Sequence, residues 1–424
     1  MNKVIPVKLG SVADILVGYA FKSAGFSQNH NDVFLVKGSN ISHRKIDYDA
    51  GPWWREDQNE DLSKYELQEN DVILAMDRPI VGDQLKFCWI KRSDPKSFLV
   101  QRVARLRGSD SLDTNYLRCV IAHDEFQKYV DSITTGANVP HISGPDIKDY
   151  QFPLPPLPIQ KKIAGVLSAY DDLIEANLKR IKLLEEMAQI TYEEWFVRLR
   201  FPNHETTSID PKTGLPEGWV HGVLGDVVAF RNGYAFKSDT YSDKGAYKIV
   251  TIRNVQDGSF AQDTNDQTDL LPPNLKPHHH LKTGDILMSL TGNVGRVCVV
   301  IGQGYLLNQR VAKLEPKNSF SPMLAYCFLR DKGMLTQLES ISNGAAQQNL
   351  SPINAANLKV NVPPLSVVET FNAKFGDIFT LCCNLNIQNT FLKEARDLLL
   401  PRLITGLIDI DDYLARNGSE AAAA

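Results

Sequence analysis

The sequence has few cysteines and no long apolar run. Its six cysteines form no C-x-x-C pair and show no spacing typical of a disulfide framework, which fits a reducing compartment. No apolar stretch approaches the ~18 residues that a membrane-spanning helix needs. The first ten residues, MNKVIPVKLG, lack the apolar core of a signal peptide. We therefore expect a cytoplasmic protein with no membrane partner.

Motifs for nucleotide or group-transfer chemistry are absent as well. The sequence has no G-x-x-x-x-G-K-[ST] phosphate loop, no Asn-Pro-Pro-aromatic tetrad and no glycine-rich cofactor loop. His278, His279 and His280 are consecutive, but three adjacent side chains on a strand cannot all face one ion, so we interpret them as a loop before a strand. No spacing supports a Ser/His/Asp or Cys/His arrangement. The sequence predicts no catalytic residue, no metal site and no cofactor bound by this chain.

At 424 residues the chain is too long for one ordinary core, and its dominant feature is an internal repeat. The hexamer GYAFKS at residues 18–23 returns identically at residues 233–238. Shorter matches follow in the same order in both halves: 71–74 with 285–288, 101–104 with 309–312, 136–137 with 344–345, Ser143 with Ser351, and 155–157 with 363–365. The chain therefore consists of two related halves, each a globular domain followed by a long helix.

A long apolar stripe follows each Pro-Pro-Leu motif. Between Pro158 and Pro202 apolar residues recur three and four positions apart, which predicts a helix of roughly 40 residues. A stripe of similar length follows residue 365 in the second half. Helices this long, the first with Asn177 on its stripe, need a partner along their whole length. We predict that they pair with each other as an antiparallel coiled coil.

The expected fold class is α+β with an internal pseudo-two-fold repeat: two tandem α/β domains with mixed, strand-rich cores, separated by the two long helices. The predicted boundaries are 1–155 for the first domain, 156–200 for the first long helix, 201–218 for a polar linker, 219–363 for the second domain, 364–408 for the second long helix and 409–424 for a C-terminal tail. Residues 114–133 and 322–341 each predict a single helix. Duplicated cysteines are interpreted as small core residues: Cys88, Cys119, Cys298 and Cys327.

Because the sequence predicts no catalytic site, the function that we expect is recognition of another molecule. A net charge of −4 argues neither for nor against nucleic acid, because a local basic patch can exist within a neutral total. Between residues 78 and 107 basic and aromatic residues alternate, which suits a phosphate-tracking surface, although a solvated strand face is the alternative. Amide and guanidinium groups can also bond base edges, and each is otherwise an ordinary loop residue. The candidate DNA contacts are Lys22, Arg44, Lys45, Arg78, Lys86, Arg92, Asn138, His141, Lys237, Arg253, Asn293, Arg296, Gln347 and Gln348.

The two halves diverge in their loops, since residues 42–64 and 256–277 share almost nothing. A duplicated scaffold with divergent loops is expected to recognise two different targets, one with each half. Several short segments resemble those of one known family, the specificity subunits of type I restriction–modification systems. The segments that carry this resemblance are GYAFKS at 18–23 and its copy, TGANVPHIS at 135–143, PPLPIQKKI at 155–163, EWFV at 194–197, LPEGW at 215–219 and LPRLITG at 400–406.

The resemblance implies a non-catalytic, prokaryotic subunit. Its two target recognition domains would each read half of a bipartite, asymmetric sequence in double-stranded DNA, and its two helical regions would bind two modification subunits. Those partners would perform S-adenosylmethionine-dependent adenine N6 methylation, and two restriction subunits would add ATP- and Mg²⁺-dependent motor and nuclease activity in a complete restriction system. The rival hypothesis is a repeat scaffold that assembles other proteins without binding DNA, and salt-dependent DNA binding separates the two.

The resemblance also suggests residues that contact the modification subunits. These candidates are Gln160, Lys161, Trp195 and Phe196. The second helix has Val368-Glu369-Thr370 where the first has Gln160-Lys161-Lys162, so the two helices are not expected to contact their partners equivalently. For Trp195 and Phe196, burial between the two helices is the alternative.

Overall fold

The computed structural model describes residues 6–55, 61–136, 139–317, 319–344 and 348–421. The chain divides into two compact units, Met1–Leu173 with Leu392–Ala424, and Ile174–Phe391. The division passes through both long helices, so each unit contains a globular domain and one segment of each helix. The assignment of residues 1–155 and 219–363 as the recognition domains stays a prediction.

The first unit is built from short strands and helices. Its strands are β1 (Pro6–Lys8), β2 (Ala13–Val17), β3 (Phe26–Ser27), β4 (Val33–Val36), β5 (Ile41–Ser42), β6 (Lys45–Ile46), β7 (Trp53–Trp54), β8 (Val72–Ala75), β9 (Ile80–Val81), β10 (Gln84–Leu85), β11 (Phe87–Trp89), β12 (Ser97–Leu99), β13 (Val103–Gly108) and β14 (Gln151–Pro153). Its short helices are α1 (Leu9–Val12), α2 (Thr114–Ala122), α3 (Asp124–Ile133) and α4 (Gly144–Asp149). The first long helix, α5 (Leu157–Tyr192), follows directly.

The second unit has a similar order of elements, although β3, β9 and β10 have no counterpart among its described strands and its strand at His280–Leu281 has none among those described in the first unit. Its strands are β15 (Val220–Val223), β16 (Val228–Asn232), β17 (Tyr247–Val250), β18 (Val255–Gln256), β19 (Ser259–Phe260), β20 (Gln267–Thr268), β21 (His280–Leu281), β22 (Ile286–Ser289), β23 (Val297–Val299), β24 (Tyr305–Leu307), β25 (Val311–Pro316) and β26 (Lys359–Val362). Its short helices are α6 (Leu224–Val227), α7 (Pro322–Leu329), α8 (Lys332–Ser340) and α9 (Pro352–Ala356). The second long helix, α10 (Leu365–Ile404), precedes a last helix, α11 (Ile410–Ala421).

Each unit has a central antiparallel sheet with the same strand order. In the first unit the order is β11-β8-β13-β2, and in the second it is β23-β22-β25-β16. The register is also the same, because Leu106 pairs with Val72 and the repeat-equivalent Leu314 pairs with Ile286. A second sheet in each unit contains one parallel pair, β12 with β4 and β24 with β17. The predicted α+β fold and internal repeat are therefore confirmed.

Both faces of the central sheet are buried. Successive side chains of a strand point to opposite faces, so alternate residues enter different cores. In β8, Val72 and Leu74 face one core, which they share with Leu117 of α2. The intervening Ile73 faces the other core, which it shares with Phe34 of the second sheet. Strands such as β8, with the sequence VILA, are therefore apolar at every position. Each domain consists of three layers: helices, the central sheet and a smaller sheet.

The six cysteines are all buried and unpaired. Burial raises the pKa of the Cys119, Cys298 and Cys327 thiols to about 12 and that of Cys88 well above its usual range. At neutral pH these thiols stay protonated and apolar, which confirms their interpretation as small core residues.

Two predicted single helices are each broken in the structure. The helix expected at 114–133 ends at Ala122, because His123 caps a new helix by accepting a hydrogen bond from the backbone N–H of Glu125 at 3.1 Å. The helix expected at 322–341 is broken in the same region, where Asp331 accepts from the N–H of Met334 at 3.0 Å. A side-chain cap competes with helix continuation, and the apolar period alone does not reveal it.

The predicted C-terminal tail is also corrected, since it contains helix α11. Asp409 accepts hydrogen bonds from the N–H groups of Asp411 and Asp412, at 2.8 and 3.2 Å, and so caps its start. Ile410 is buried in the core of the first unit, and Lys162 of α5 forms an ion pair with Asp411 at 2.5 Å. These contacts hold the segment against the domain.

The two long helices pair antiparallel within each unit, as predicted. In the second unit Ile181 packs with Leu385 and Cys382, whereas the earlier Asn177 donates to the later Asn389 at 3.0 Å. Asn177 also donates to Gln388 at 2.9 Å. A buried amide pair on an apolar stripe is a known device for specifying the register of paired helices. No helix in the described ranges combines the length and apolarity needed to cross a membrane.

Candidate nucleic-acid interface

In each unit, the end of a central strand meets the loop that precedes a short helix. Asp77, just after β8, forms an isolated bridge with His141, which bridges in turn with Thr135. The N–H of Arg78 donates to the carbonyl of Pro140 at 2.6 Å. Two of the predicted DNA contacts, Arg78 and His141, are thus brought together. We call Asp77, Arg78, Arg102, Thr135 and His141 the first loop junction.

The second unit repeats this geometry with different side chains. Thr291, just after β22, bridges with Asn349, which bridges with Asn343. The N–H of Gly292 donates to the carbonyl of Gln348 at 3.0 Å. We call Thr291, Gly292, Arg310, Asn343 and Asn349 the second loop junction. The repeat therefore preserves backbone positions and changes the groups that are displayed.

An exposed arginine lies at the same position of both junctions but has different partners. Arg102 pairs with the carboxylate of Asp77 at 3.1 Å. Arg310 instead donates to the amide oxygen of Asn349 at 3.1 Å and to the hydroxyl of Thr291 at 3.4 Å. These neutral partners therefore orient the Arg310 guanidinium without neutralising its charge. It borders a cavity of about 290 Å³ that is also lined by Asn232, Thr291 and Asn349.

Such an arrangement has the chemistry that recognises DNA. An arginine can bond a guanine edge with two hydrogen bonds, an asparagine can do the same to adenine, and cations bond phosphates. Exposed residues among the predicted contacts are Lys22, Lys45, Arg78, Arg92, His141, Lys237, Arg253, Asn293 and Gln348. Arg296 is half-buried and donates to Gln256 at 2.9 Å. Asn138 and Gln347 lie outside the described residues.

The structure corrects the prediction for Arg44, whose side chain is only 13% exposed. Its guanidinium forms ion pairs with Asp171 at 3.5 Å and with Asp397 at 3.8 Å. A buried and paired guanidinium is not available to a phosphate. Lys86 is half-buried as well: its amine donates to the carbonyl of Gly38, and burial lowers its pKa.

Two predicted partner contacts are internal. Phe196 is buried against Tyr192, Trp219 and Phe371, so the alternative of burial applies to it. Trp195 is half-buried beside Phe371, and Lys161 is exposed. Phe196 therefore serves the core of the second unit, whereas Lys161 and part of Trp195 remain accessible.

Gln160 is the second internal residue, with a fully buried side chain. Its oxygen accepts from the N–H of Asp113 at 2.9 Å, and its nitrogen donates to the carbonyls of Ser111 and Pro155 at 2.9 and 2.8 Å. These three bonds tie the start of α5 to the loop before α2. The predicted partner contact is wrong for this side chain, because no part of it reaches solvent.

We expect the Gln160→Ala substitution to lower the free energy of unfolding by about 3 kcal/mol, because it leaves buried backbone groups without partners. Urea-induced unfolding of the purified full chain measures this loss. Lys161→Ala, at the neighbouring exposed position, is the matched control and should change stability by less than about 0.5 kcal/mol. Equal stability of both variants would refute the structural role of Gln160.

An exposed apolar face on α5 was not predicted from the sequence. Leu183, Met187 and Ile190 are 55%, 46% and 62% exposed, and their spacing of four and three residues places them on one side of the helix. The signal was present in the sequence as apolar residues outside the main stripe. Within the described ranges, no three metal-ligating side chains lie together.

A family model identifies the class of protein that this fold and these loops define. The model, described as the type I restriction modification DNA specificity domain, matches residues 1–186 and 216–388. The chain belongs to this family and is a specificity subunit of a type I restriction–modification system, whose role is to recognise a DNA sequence. The rival hypothesis of a scaffold that does not bind DNA is not favoured.

Individual relatives agree with this assignment. The type I restriction enzyme MjaIX specificity subunit of Methanocaldococcus jannaschii is 25% identical over 312 residues, which cover 72% of this chain and 71% of that protein. The EcoBI specificity subunit of Escherichia coli is 24% identical over 390 residues, which cover 86% of this chain and 76% of that protein. The crystal structure of the type I S subunit from M. genitalium shares the fold, with a TM-score of 0.55, 16% identity and coverage of 95% of this chain and 97% of that chain.

Proposed function

We propose that each unit reads one half of a bipartite, asymmetric sequence in double-stranded DNA through its loop junction. The observation that carries this proposal is the pair Arg102 and Arg310, which occupy the same position in the repeat but have different partners. Because Asp77 neutralises the first arginine and neutral groups orient the second, the two junctions display different hydrogen-bonding groups. Two different displays on one framework suit two different half-sites.

The exposed polar residues around each junction divide into two roles in this proposal. Arg78, His141, Arg310 and Asn349 lie where they can meet base edges, since they belong to the junctions themselves. Exposed cations elsewhere, such as Lys22 and its repeat equivalent Lys237, would contact phosphates. Phosphate contacts position the protein, and base contacts supply the specificity.

We also propose that the long helices bind two modification subunits. The support is the exposed face of Leu183, Met187 and Ile190 near the end of α5, because apolar and aromatic groups dominate protein interfaces. Lys161 at the start of α5 and the accessible part of Trp195 are further exposed candidates. In this proposal the modification subunits bind S-adenosylmethionine and methylate adenine, and restriction subunits use ATP and Mg²⁺. This chain then supplies recognition alone and acts in the prokaryotic cytoplasm.

Substitution of the junction arginines tests whether each loop junction reads one half-site. We expect Arg310→Ala to relax the sequence requirement at one half-site and Arg78→Ala to relax it at the other, each by roughly 10- to 100-fold in preference per contacted base pair. The readout is the set of adenines methylated by the complex with modification subunits, determined by sequencing. Arg231→Ala is the matched control, since Arg231 is exposed and paired with Glu315 on the sheet. Relaxation of both half-sites by one substitution, or of neither by both, would overturn the proposal.

A further inference from the structure

A short hairpin occupies the same place in both units and differs at its tip. The hairpin of β5 and β6 has His43-Arg44 at its tip, and the hairpin of β18 and β19 has Asp257-Gly258. Arg44 and Gly258 both have positive φ, at 60° and 68°. Both donate their N–H to an edge strand of the central sheet, Arg44 to the carbonyl of Phe87 in β11 and Gly258 to that of Val297 in β23. They are therefore structurally equivalent. The first unit has an arginine in a backbone conformation that favours glycine. We infer that the Arg44 side chain makes interactions that offset the cost of this conformation.

In the first unit, this arginine completes a cluster of charges that is buried except at Asp397, whose side chain is 56% exposed. Asp171 of α5 lies 3.5 Å from Arg44, 3.6 Å from Arg118 of α2 and 2.5 Å from Arg396 of α10. Asp397 pairs with Arg396 at 2.9 Å. The side chains of Arg44, Arg118, Asp171 and Arg396 are each 13% exposed or less. We call these five residues the charged cluster.

The orientation of Arg44 is supported from its own hairpin. His43 Nδ1 lies 3.1 Å from the carbonyl of Leu85 and so carries the proton, which leaves Nε2 to accept from Arg44 Nε at 3.3 Å. Burial and the adjacent guanidinium lower the pKa of His43, in agreement with a neutral ring. The hairpin tip is thus preorganised to present a cation to the helices.

The second unit has none of this charge at the equivalent positions. Alignment on the Pro-Pro-Leu motifs, at 155 and 363, gives an offset of 208 residues. By that offset Tyr326 replaces the arginine of α2, Phe379 replaces the aspartate of α5, and Ala188 replaces the arginine of α10. Tyr326 and Phe379 are buried and make a ring contact with centroids 6.3 Å apart.

The space above Gly258 is filled from a different element. Arg330, at the end of α7, lies so close that a Cβ on Gly258 would be 2.7 Å from its guanidinium. Arg330 stacks on Tyr326 at 5.1 Å and forms ion pairs with Asp257 at 3.4 Å and Glu185 at 3.7 Å. In this unit the hairpin tip and the helix are both acidic, and an arginine from the domain joins them. We call Asp257, Arg330, Glu185, Tyr326 and Phe379 the aromatic cluster.

The two clusters are chemically incompatible with each other's helices. A domain that carries Arg44 and Arg118 would face Phe379 and Ala188 on the helices of the second unit, in place of Asp171 and Arg396. The carboxylate on the same helix as Ala188, Glu185, lies at a different position, which Lys393 occupies in the first unit. A domain that carries Tyr326 would leave the Asp171–Arg396 pair without Arg44 and Arg118, and its Arg330 would meet Lys393 at the position of Glu185. An uncompensated buried charge is strongly destabilising.

We propose that the charged cluster and the aromatic cluster determine which globular domain packs on which segments of the long helices. The order of the two recognition domains along the chain, and with it the order of the half-sites, is then set by packing chemistry as well as by covalent connection. This inference goes beyond the proposed function and needs none of the proposed DNA contacts, since its readout is the stability of the chain.

A chain with a duplicated second domain tests this inference. Residues 219–362 replace residues 1–154, so that the second domain faces the helix segments of the first unit. We expect this chain to melt at a lower temperature than the wild type. Adding Asp171→Phe, Arg396→Ala and Asp397→Gln removes the charges that the second unit lacks at these positions, where it has Phe379, Ala188 and Gln189, and should raise the melting temperature of the duplicated chain.

The same three substitutions in the wild-type chain supply the decisive comparison. There they should lower the melting temperature by about 10 °C, because Arg44 and Arg118 lose their carboxylates. Adding Arg44→Gly and Arg118→Tyr to that variant should recover most of the loss. Lys128→Ala is the control, since Lys128 pairs with Glu125 on the surface and should matter little.

The inference is supported if the triple substitution raises the melting temperature of the duplicated chain and lowers that of the wild-type chain. Destabilisation of both chains, or an unmodified duplicated chain as stable as the wild type, would overturn it. If the duplicated chain does not fold, the recovery produced by Arg44→Gly and Arg118→Tyr in the wild-type background decides, and absence of that recovery refutes the proposal.

Discussion

Replacement of residues 1–154 by the corresponding domain of a relative should change one half of the recognised DNA sequence and leave the other half intact. The physical reason is that the first loop junction lies within these residues, whereas the second lies in residues 291–349. Each mismatched base pair costs about 1–3 kcal/mol, so three altered positions should reduce use of the original site by roughly 10²- to 10⁶-fold. Sequencing of methylated adenines in cells that contain the modification subunits and the chimeric chain measures the change.

The donor domain should retain arginines at the positions of Arg44 and Arg118, so that packing on the long helices is preserved. A reciprocal exchange of residues 219–362 is the matched control and should change only the other half-site. Simultaneous change of both halves by either exchange would contradict modular recognition.

Insertion of one heptad into both long helices should abolish recognition of the native half-site spacing. We expect the paired helices to set that spacing, and seven residues lengthen a helix by about 10.5 Å while nearly preserving its apolar face. That length corresponds to roughly three base pairs of B-DNA, which also rotate a half-site by about a third of a turn. The inserted helices do not reproduce this rotation, so any recovery on a longer spacer should be incomplete.

The amide pair between Asn177 and Asn389 shows where the insertions must be placed to face each other, after Leu178 in α5 and before Gln388 in α10. Methylation of substrates with graded spacers by the doubly inserted chain gives the result. Insertion into α5 alone is the control: it should separate the amide pair and lower the melting temperature instead. Undiminished methylation at the native spacing by the doubly inserted chain would refute this expectation.

Much of the fold could be predicted because its signals are local or repeated. The proline-free stretch after Pro158 carries an apolar period long enough to define α5, and the identical hexamer relates the two domains. The breaks at His123 and Asp331 were missed because a single capping side chain decided them against the apolar pattern. The helix at Ile410 was missed because its stability comes from contacts with the domain core and with α5.

The site was less predictable, since burial of polar residues depends on distant partners. Nothing near Arg44 in the sequence indicates that Asp171 and Asp397 neutralise it, and Gln160 differs from an ordinary surface residue only through contacts with Asp113 and its neighbours. Arg310 could have been found, because the segments QRVA at 101–104 and 309–312 are identical. An arginine repeated at the same position of both halves is a signal that the sequence alone provides.

The central claim, that this chain chooses the DNA sequence through two separate recognition domains, is tested most directly by sequencing adenine methylation in cells that produce the modification subunits with and without it. The prediction is one bipartite sequence, with two half-sites and a constant spacer, that is methylated only when the chain is present. The same methylation pattern in its absence, or a single undivided target sequence in its presence, would contradict the claim.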